Sequence, residues 1–326
     1  MSARVICLGE ALWDCLADQP GLPVDQVQSW TAYPGGAPAN VSTALVKLGT
    51  SAAFVGCVGQ DTAGDALVNV LLDAGVDGQG IQRHATAPTR QVLVTRSLEG
   101  DRTFSGFKDY ATTEFADTRL QADQLPIALF EGAEFLAIGT LAMAYPESRA
   151  AIERALLLAE RFYLKVLIDI NWRPVFWTDP NSAPTIIHPL LQRADFLKVT
   201  VEEAEWLFQT TDPSTIAESL NNLEGVLVTD GDRGCRYSIG RYDGTVPAFP
   251  VSVMDTTGAG DGFVAGFLHQ VCRNSLSIFQ HAATTRQVIC YASAVGALTT
   301  TKLGAIAAQP NATEVATFLA NTKCQS

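Results

Sequence analysis

The segment Asp255-Thr-Thr-Gly-Ala-Gly-Asp261 combines residue types suited to holding an anion at the start of a helix. Gly258 and Gly260 let the backbone turn tightly with several N–H groups pointing one way. The apolar stripe Phe263, Val264, Phe267, Leu268 and Val271 then predicts a helix from about 258 to 271. The positive end of that helix adds to the amides, so a phosphate group fits there. Asp261 has two readings: a routine cap of the helix start, or a base acting on an attacking hydroxyl beside the anion. Dinucleotide binding would need glycine at 263, where Phe stands, and a Gly-Lys-Ser/Thr phosphate loop is absent. What remains suits phosphoryl transfer, with amides stabilising charge on the moving group and the carboxylate taking up a proton.

Two further segments carry candidate ligand groups. Gly35-Gly-Ala-Pro-Ala-Asn40 leads into a helix between Pro38 and Gly49, marked by Val41, Ala44, Leu45 and Leu48. Asn40 lies in its first turn, where an amide both donates and accepts, as a polyol requires; a plain helix start is the alternative. Asp169-Ile-Asn-Trp-Arg-Pro-Val-Phe-Trp177 follows the apolar strand 165–168 and so leaves the carboxyl end of a strand, where open α/β sheets bind ligands. Asn171 and Arg173 then face a cleft. Arg173 steadies phosphate charge, clamps a substrate carboxylate, or pairs with a surface acid.

These segments need a scaffold. Apolar runs at 4–8, 52–58, 134–140, 165–170, 195–199 and 225–230 alternate with helical patterns, which implies parallel strands joined by crossover helices. Gly262 and Gly266 permit close approach on one side of the late helix. Residues 12–33 and 87–108 instead alternate polar and apolar positions, with a turn at Glu99-Gly-Asp-Arg102. They predict a small sheet projecting from the main one, either a lid or a homodimer surface.

Composition narrows the function classes. The 326 residues are 47% apolar and 17% charged, against roughly 25% charged in typical soluble proteins, so most of the chain is packed interior. The net charge of −12, without a Lys/Arg run, argues against nucleic acid. Seven scattered cysteines without a C-x-x-C argue against a disulfide framework and a zinc site, and the four histidines lack metal-ligand spacing. No apolar run reaches the length of a membrane span or a secretory leader. A soluble, cytoplasmic protein is expected.

In order and separation, Gly35-Gly-Ala-Pro-Ala-Asn40 and Asp255-Thr-Thr-Gly-Ala-Gly-Asp261 resemble the two signatures of the ribokinase-like (pfkB) carbohydrate kinases, and the likeness spans essentially the whole chain. Gly56-Cys-Val-Gly-Gln-Asp61 with Gly64, and Gly75-Val-Asp77, add to it. The resemblance implies a single α/β domain: a central, mostly parallel sheet flanked by helices in three layers, with a small β lid, using ATP and Mg²⁺. It makes Asp261 the base and Gly258, Ala259 and Gly260 the anion hole. Asp14, in Gly9-Glu-Ala-Leu-Trp-Asp14, would receive sugar hydroxyls beside Gly35, Gly36 and Asn40. Asp255 and Thr257 match positions that bind a monovalent cation, K⁺, in many members. Lys198 and the turn Thr229-Asp-Gly-Asp-Arg-Gly234 lie on the nucleotide side, with Thr229, Gly231 and Gly234 near ATP and the adenine pocket drawn from about 280 to 305.

One position departs from the family. Where an Asn is usual three residues before the acid, Lys198-Val-Thr200-Val-Glu-Glu203 carries Thr200, leaving Glu203 to assist Mg²⁺ through water. Asp169-x-Asn171-x-Arg173 followed by Trp is similar to fructokinases and 2-keto-3-deoxygluconate kinases more than to ribokinase or adenosine kinase. Glu10-Ala-Leu-Trp-Asp14 favours fructose, phosphorylated to fructose 6-phosphate. The alternatives are a 2-keto-3-deoxygluconate kinase or ribokinase and, from another class, a non-catalytic sugar sensor.

Overall fold

A strand covered on both faces must be apolar at nearly every position, and the six apolar runs do form the middle of one sheet. The computed structural model describes residues 2–98, 102–220 and 223–322; positions 99–101 of the turn expected at 99–102, and Cys324, lie outside the described residues. Its strands are β1 Val5–Leu8, β2 Leu12–Ala17, β3 Trp30–Gly35, β4 Ala52–Gly59, β5 Asp77–His84, β6 Gln91–Arg96, β7 Arg102–Phe107, β8 Phe135–Gly139, β9 Lys165–Asp169, β10 Phe196–Thr200, β11 Gly225–Thr229, β12 Cys235–Ile239 and β13 Tyr242–Val246. Nine make one sheet in the order β13-β12-β11-β10-β9-β8-β1-β4-β5. It is parallel from β5 through β11, and the β12–β13 hairpin adds antiparallel strands at one edge.

The helices are α1 Ala37–Leu48, α2 Thr62–Asp73, α3 Ile127–Gly132, α4 Pro146–Phe162, α5 Ala183–Leu191, α6 Val201–Phe208, α7 Pro213–Ser219, α8 Ala259–Asn274, α9 Ala282–Thr299, α10 Ala305–Ala308 and α11 Ala312–Asn321. Successive strand residues point to opposite faces, so each central strand feeds two cores. Val5, Cys7, Phe135 and Leu167 pack with Leu45 of α1, Phe267 of α8 and Val288 of α9. Ile6, Leu8, Leu136 and Ile168 pack with Ile152 of α4 and Ile187 of α5. The result is three layers. A Cβ on Gly266 would come within 2.9 Å of Ala292 Cα, so the glycine face of α8 lies against α9, as its spacing implied.

The projecting sheet has the order β3-β2-β6-β7, drawn from the two ranges that alternate in sequence except that β3 runs on to Gly35, past the expected end at 33. Its hairpin β6–β7 is fastened at the root, where Val92 pairs with Phe107. There Arg90, fully enclosed, makes bonds of 2.7 and 2.9 Å to Asp117. The rings of Phe107, Phe115, Tyr145 and Phe176 surround its guanidinium at 4.5 to 5.5 Å. Stripping an ion pair of water is costly, and this one is compensated by a bidentate geometry and four π faces.

Two expectations need correction. Cys7, Cys15, Cys57, Cys235 and Cys272 are buried free thiols, but Cys290 is disulfide-bonded, where the scattered cysteines argued against a disulfide framework. Strands β5, β12 and β13 were not among the apolar runs, since they lie at or near the sheet edges and carry polar residues. No helix among the described residues is long and apolar enough to cross a membrane.

Candidate active site

Helices α1 and α8 begin in the same way. Each has a glycine cap at positive φ, 99° at Gly36 and 79° at Gly258, with no side-chain cap bond. A Cβ would lie 2.5 Å from the Glu10 carbonyl oxygen at the first and 2.8 Å from Ala305 Cβ at the second, so neither backbone path suits another residue. The two helices pack together and their starts meet. Asn40 Nδ2, in the first turn of α1, donates to Asp261 Oδ2, in the first turn of α8, at 2.8 Å across 221 residues of sequence.

That bond spans one wall of a cavity of about 840 Å³. Asp14, Gly36, Asn40, Asn171 and Arg173 line it, together with Lys198, Thr200, Glu203, Thr229, Gly231 and Gly234. Thr257, Gly258, Ala259, Gly260 and Asp261 line the same cavity. Two expected residues stand outside the lining. Gly35 backs Asp14, since a Cβ there would lie 2.5 Å from Asp14 Oδ2. Asp255, buried, accepts the amides of Thr257 and Gly304 at 2.9 Å each, tying the loop before α8 to the turn before α10.

Asp261 is buried, and burial pushes its carboxyl up to about 6; the Asn40 bond opposes this, Asp169 adds to it, and Lys198 and Arg173 counter it. A carboxyl poised there is a competent base near neutral pH. Beside it, Lys198 and Asp169 form a buried ion pair at 3.0 Å. Burial raises the Asp169 carboxyl, and although burial lowers the Lys198 ammonium, the carboxylates of Asp169 and Glu203 outweigh it, for a net rise. Lys198 Nζ lies 3.3 Å from where a Cβ on Gly260 would stand, so its charge borders the start of α8. Among the described residues, no protein acceptor takes the amides of Gly260 or Asp261, whereas Ala259 N–H bonds to Thr256 O at 3.2 Å. Gly258 N–H likewise has no acceptor among them, so of the expected trio Gly258, Ala259 and Gly260 only Ala259 has its amide taken, and Asp261 adds an open donor.

The Thr200 departure has a local explanation. Thr200 Oγ1 accepts from Glu203 N–H at 3.2 Å and Glu203 Oε2 accepts from Thr200 N–H at 2.8 Å, a reciprocal cap on α6. Glu203 Oε1 also accepts the amide of Trp172 at 2.6 Å, which fixes the loop bearing Asn171 and Arg173. Asn171 adopts φ 44°, a left-handed conformation that asparagine tolerates better than most residues. Arg173 forms no ion pair among the described residues; it donates to Trp172 O at 2.8 Å and lies 5.7 Å from the Phe104 ring of the projecting sheet. The surface salt bridge is not its role.

The sequence reading did not assign Glu10, the Asp169 partner of Lys198, or the segment 248–251, all in the cavity wall. Glu10 and Asp169 follow or end central strands β1 and β9, and a carboxylate at that position was the available signal. The stretch 280–305 contributes Ser293, Gly296, Ala297 and Thr300.

Comparison with known proteins agrees with this geometry. The model of the pfkB family carbohydrate kinases matches residues 2–312. The chain belongs to the pfkB family of carbohydrate kinases. This kinase is 35% identical to a probable fructokinase-3 of Arabidopsis thaliana over 322 residues, 98% of this chain and 92% of that protein. The fructokinase of Xylella fastidiosa, solved with bound ATP, superposes with a TM-score of 0.84 at 30% identity, covering 97% of this chain and 98% of that one. The fructokinase of Vibrio cholerae O395, solved with fructose, ADP and calcium, gives 0.84 at 29% identity over 98% and 99%.

Proposed function

We propose that this kinase transfers the γ-phosphoryl group of ATP to the 6-hydroxyl of fructose, releasing ADP and fructose 6-phosphate. The observation carrying this reading is the Asn40–Asp261 bond, which brings a polyol-binding amide and a buried base to the start of α8 inside one cavity. Relatives and structural neighbours named as fructokinases, one with fructose and ADP bound, support fructose as the substrate.

Asp14 and Asn40 hold the sugar. As the 6-oxygen bonds to the γ-phosphorus, its proton passes to Asp261, the β,γ-bridging P–O bond breaks, and that electron pair leaves on ADP. Open amides at Gly260 and Asp261, with Lys198 and Arg173, balance charge on the transferred group. Thr229, Gly231 and Gly234 flank the nucleotide.

The donor set suits a hydrated Mg²⁺. The described residues contain no cluster of three acidic, His or Cys ligands, and Glu203 already accepts two amides, so it reaches an ion through water. Mg²⁺ keeps much of its hydration and takes most ligands from phosphates, whose charge it neutralises. A K⁺ site at Asp255 and Thr257 and a homodimer through the projecting sheet complete the proposal. Exchange of K⁺ for Na⁺ and sedimentation analysis test them.

The central test is ADP release across a sugar panel. Fructose with ATP and Mg²⁺ should lead; ribose as best substrate would overturn the assignment. Arg173, which lines the cavity and forms no ion pair among the described residues, favours one second reading, a sugar acid such as 2-keto-3-deoxygluconate. If Arg173→Leu harms turnover of the acid far more than that of fructose, and the acid is the better substrate, that reading replaces the first.

A further inference from the structure

Glu10 stands where β1 ends and the chain turns beneath the start of α1. It is 3% exposed and lines the cavity with Asp14, Asn40 and Asp261. Its Oε1 accepts the amide of Ala37, the first residue of α1, at 2.9 Å. Its Oε2 is buried with no partner among the described residues, and so is Asn40 Oδ1, because Asn40 Nδ2 is committed to Asp261. Buried polar atoms are seldom left without partners, and two in the wall of one ligand cavity point to a ligand that supplies them. They are complementary if one donates and one accepts, which is what a hydroxyl needs.

We propose that Glu10 is a sugar-binding residue, its Oε1 holding the α1 start and its Oε2 donating a hydrogen bond to a substrate hydroxyl, with Asn40 Oδ1 as the neighbouring acceptor. The ionisable groups acting on Glu10 are both acids: Asp261 from α8 and Asp117 from the turn 116–119, whose charge Arg90 already pairs. No cation pairs with Glu10 among the described residues. Burial pushes its carboxyl up to about 8; the Ala37 amide and its own opposes this, and the two aspartates add to it. At neutral pH Glu10 therefore keeps its proton and can donate, and above about pH 8 it loses both the proton and the donor.

The inference rests on the sugar-kinase reading, with fructose as probe. Fructose affinity is measured by calorimetry without nucleotide from pH 6.5 to 9.5 for wild type, Glu10→Gln and Glu10→Ala. Wild-type affinity should hold to about pH 7.5 and then fall, approaching tenfold per unit well above the Glu10 titration. Glu10→Gln keeps an acceptor for Ala37 and a donor for the sugar, so it should bind within about threefold of wild type at pH 7 with the alkaline loss abolished. Glu10→Ala should bind about 10- to 100-fold more weakly. A purely structural Glu10 would not give an alkaline limb that Gln removes. A wild-type profile flat to pH 9.5, or an alkaline loss retained by Glu10→Gln, overturns the proposal. If the wild type ignores fructose but phosphorylates another sugar of the panel, the fructose reading fails, and the same titration with that sugar still decides Glu10.

Discussion

The starts of α1 and α8 share a glycine cap, a positive φ and a place in one cavity, yet they are wired oppositely. At α1 the protein supplies the acceptor, since Glu10 Oε1 takes the Ala37 amide. At α8 the amides of Gly260 and Asp261 have no protein acceptor among the described residues, and Lys198 stands beside them. A helix start is therefore not a phosphate site by geometry alone. It is open to an anion where the chain leaves its amides without an acceptor of its own, and closed to one where a side chain such as Glu10 fills that place.

The largest expected effect separates chemistry from binding. Asp261→Ala should lower kcat by about 10³-fold or more while calorimetry still finds fructose binding. An active variant would remove the base from the mechanism. Next comes the paired comparison of the two caps. Gly258→Ala, with its Cβ against Ala305, should lower kcat by about 10²-fold. Gly36→Ala, with its Cβ against the Glu10 carbonyl, should instead raise KM for fructose about tenfold. Equal effects on kcat would erase the distinction between the two starts.

Stability reads the same contrast. The Asp261 carboxyl is raised from 3.8 to about 6, so the stability gained from its neutral form is full below pH 3.8 and lost as pH passes 6. Asp261→Asn never ionises. Denaturant titration should find it about 1–3 kcal/mol more stable than wild type at pH 7, with the gap closing by pH 4. Activity over the same range should rise through about pH 6 as the base ionises. The smallest effect is at Thr200: replacement by Ala should cost about 1 kcal/mol in cap energy and change KM for ATP less than about threefold.

The sequence disclosed the interior better than the rim. Central strands such as β1, β4, β8 and β10 are buried at nearly every position and read as apolar runs. Edge strand β5, Asp-Gly-Gln-Gly-Ile-Gln-Arg-His, has one pairing neighbour and one fully buried residue, so it has no run to read. In the site, Asp261 and Asn40 were legible because glycine-rich starts announce them, and their mutual bond was not, since nothing local links positions 221 apart. Thr200-Val-Glu-Glu203 was read for chemistry when its spacing also spells a capping box. Glu10 was seen only as part of a sugar-like motif, because an orphaned oxygen exists only in three dimensions.

The enclosed Arg90 sets where the projecting sheet is held. Its guanidinium rivets Phe107, at the foot of β7, to Phe176 in the cavity wall and to Asp117 in the body. From that root the β6–β7 ladder runs outward as far as the pair Arg96 and Arg102. One enclosed cation thus serves as a shared anchor for the hairpin root, the cavity wall and the turn 116–119.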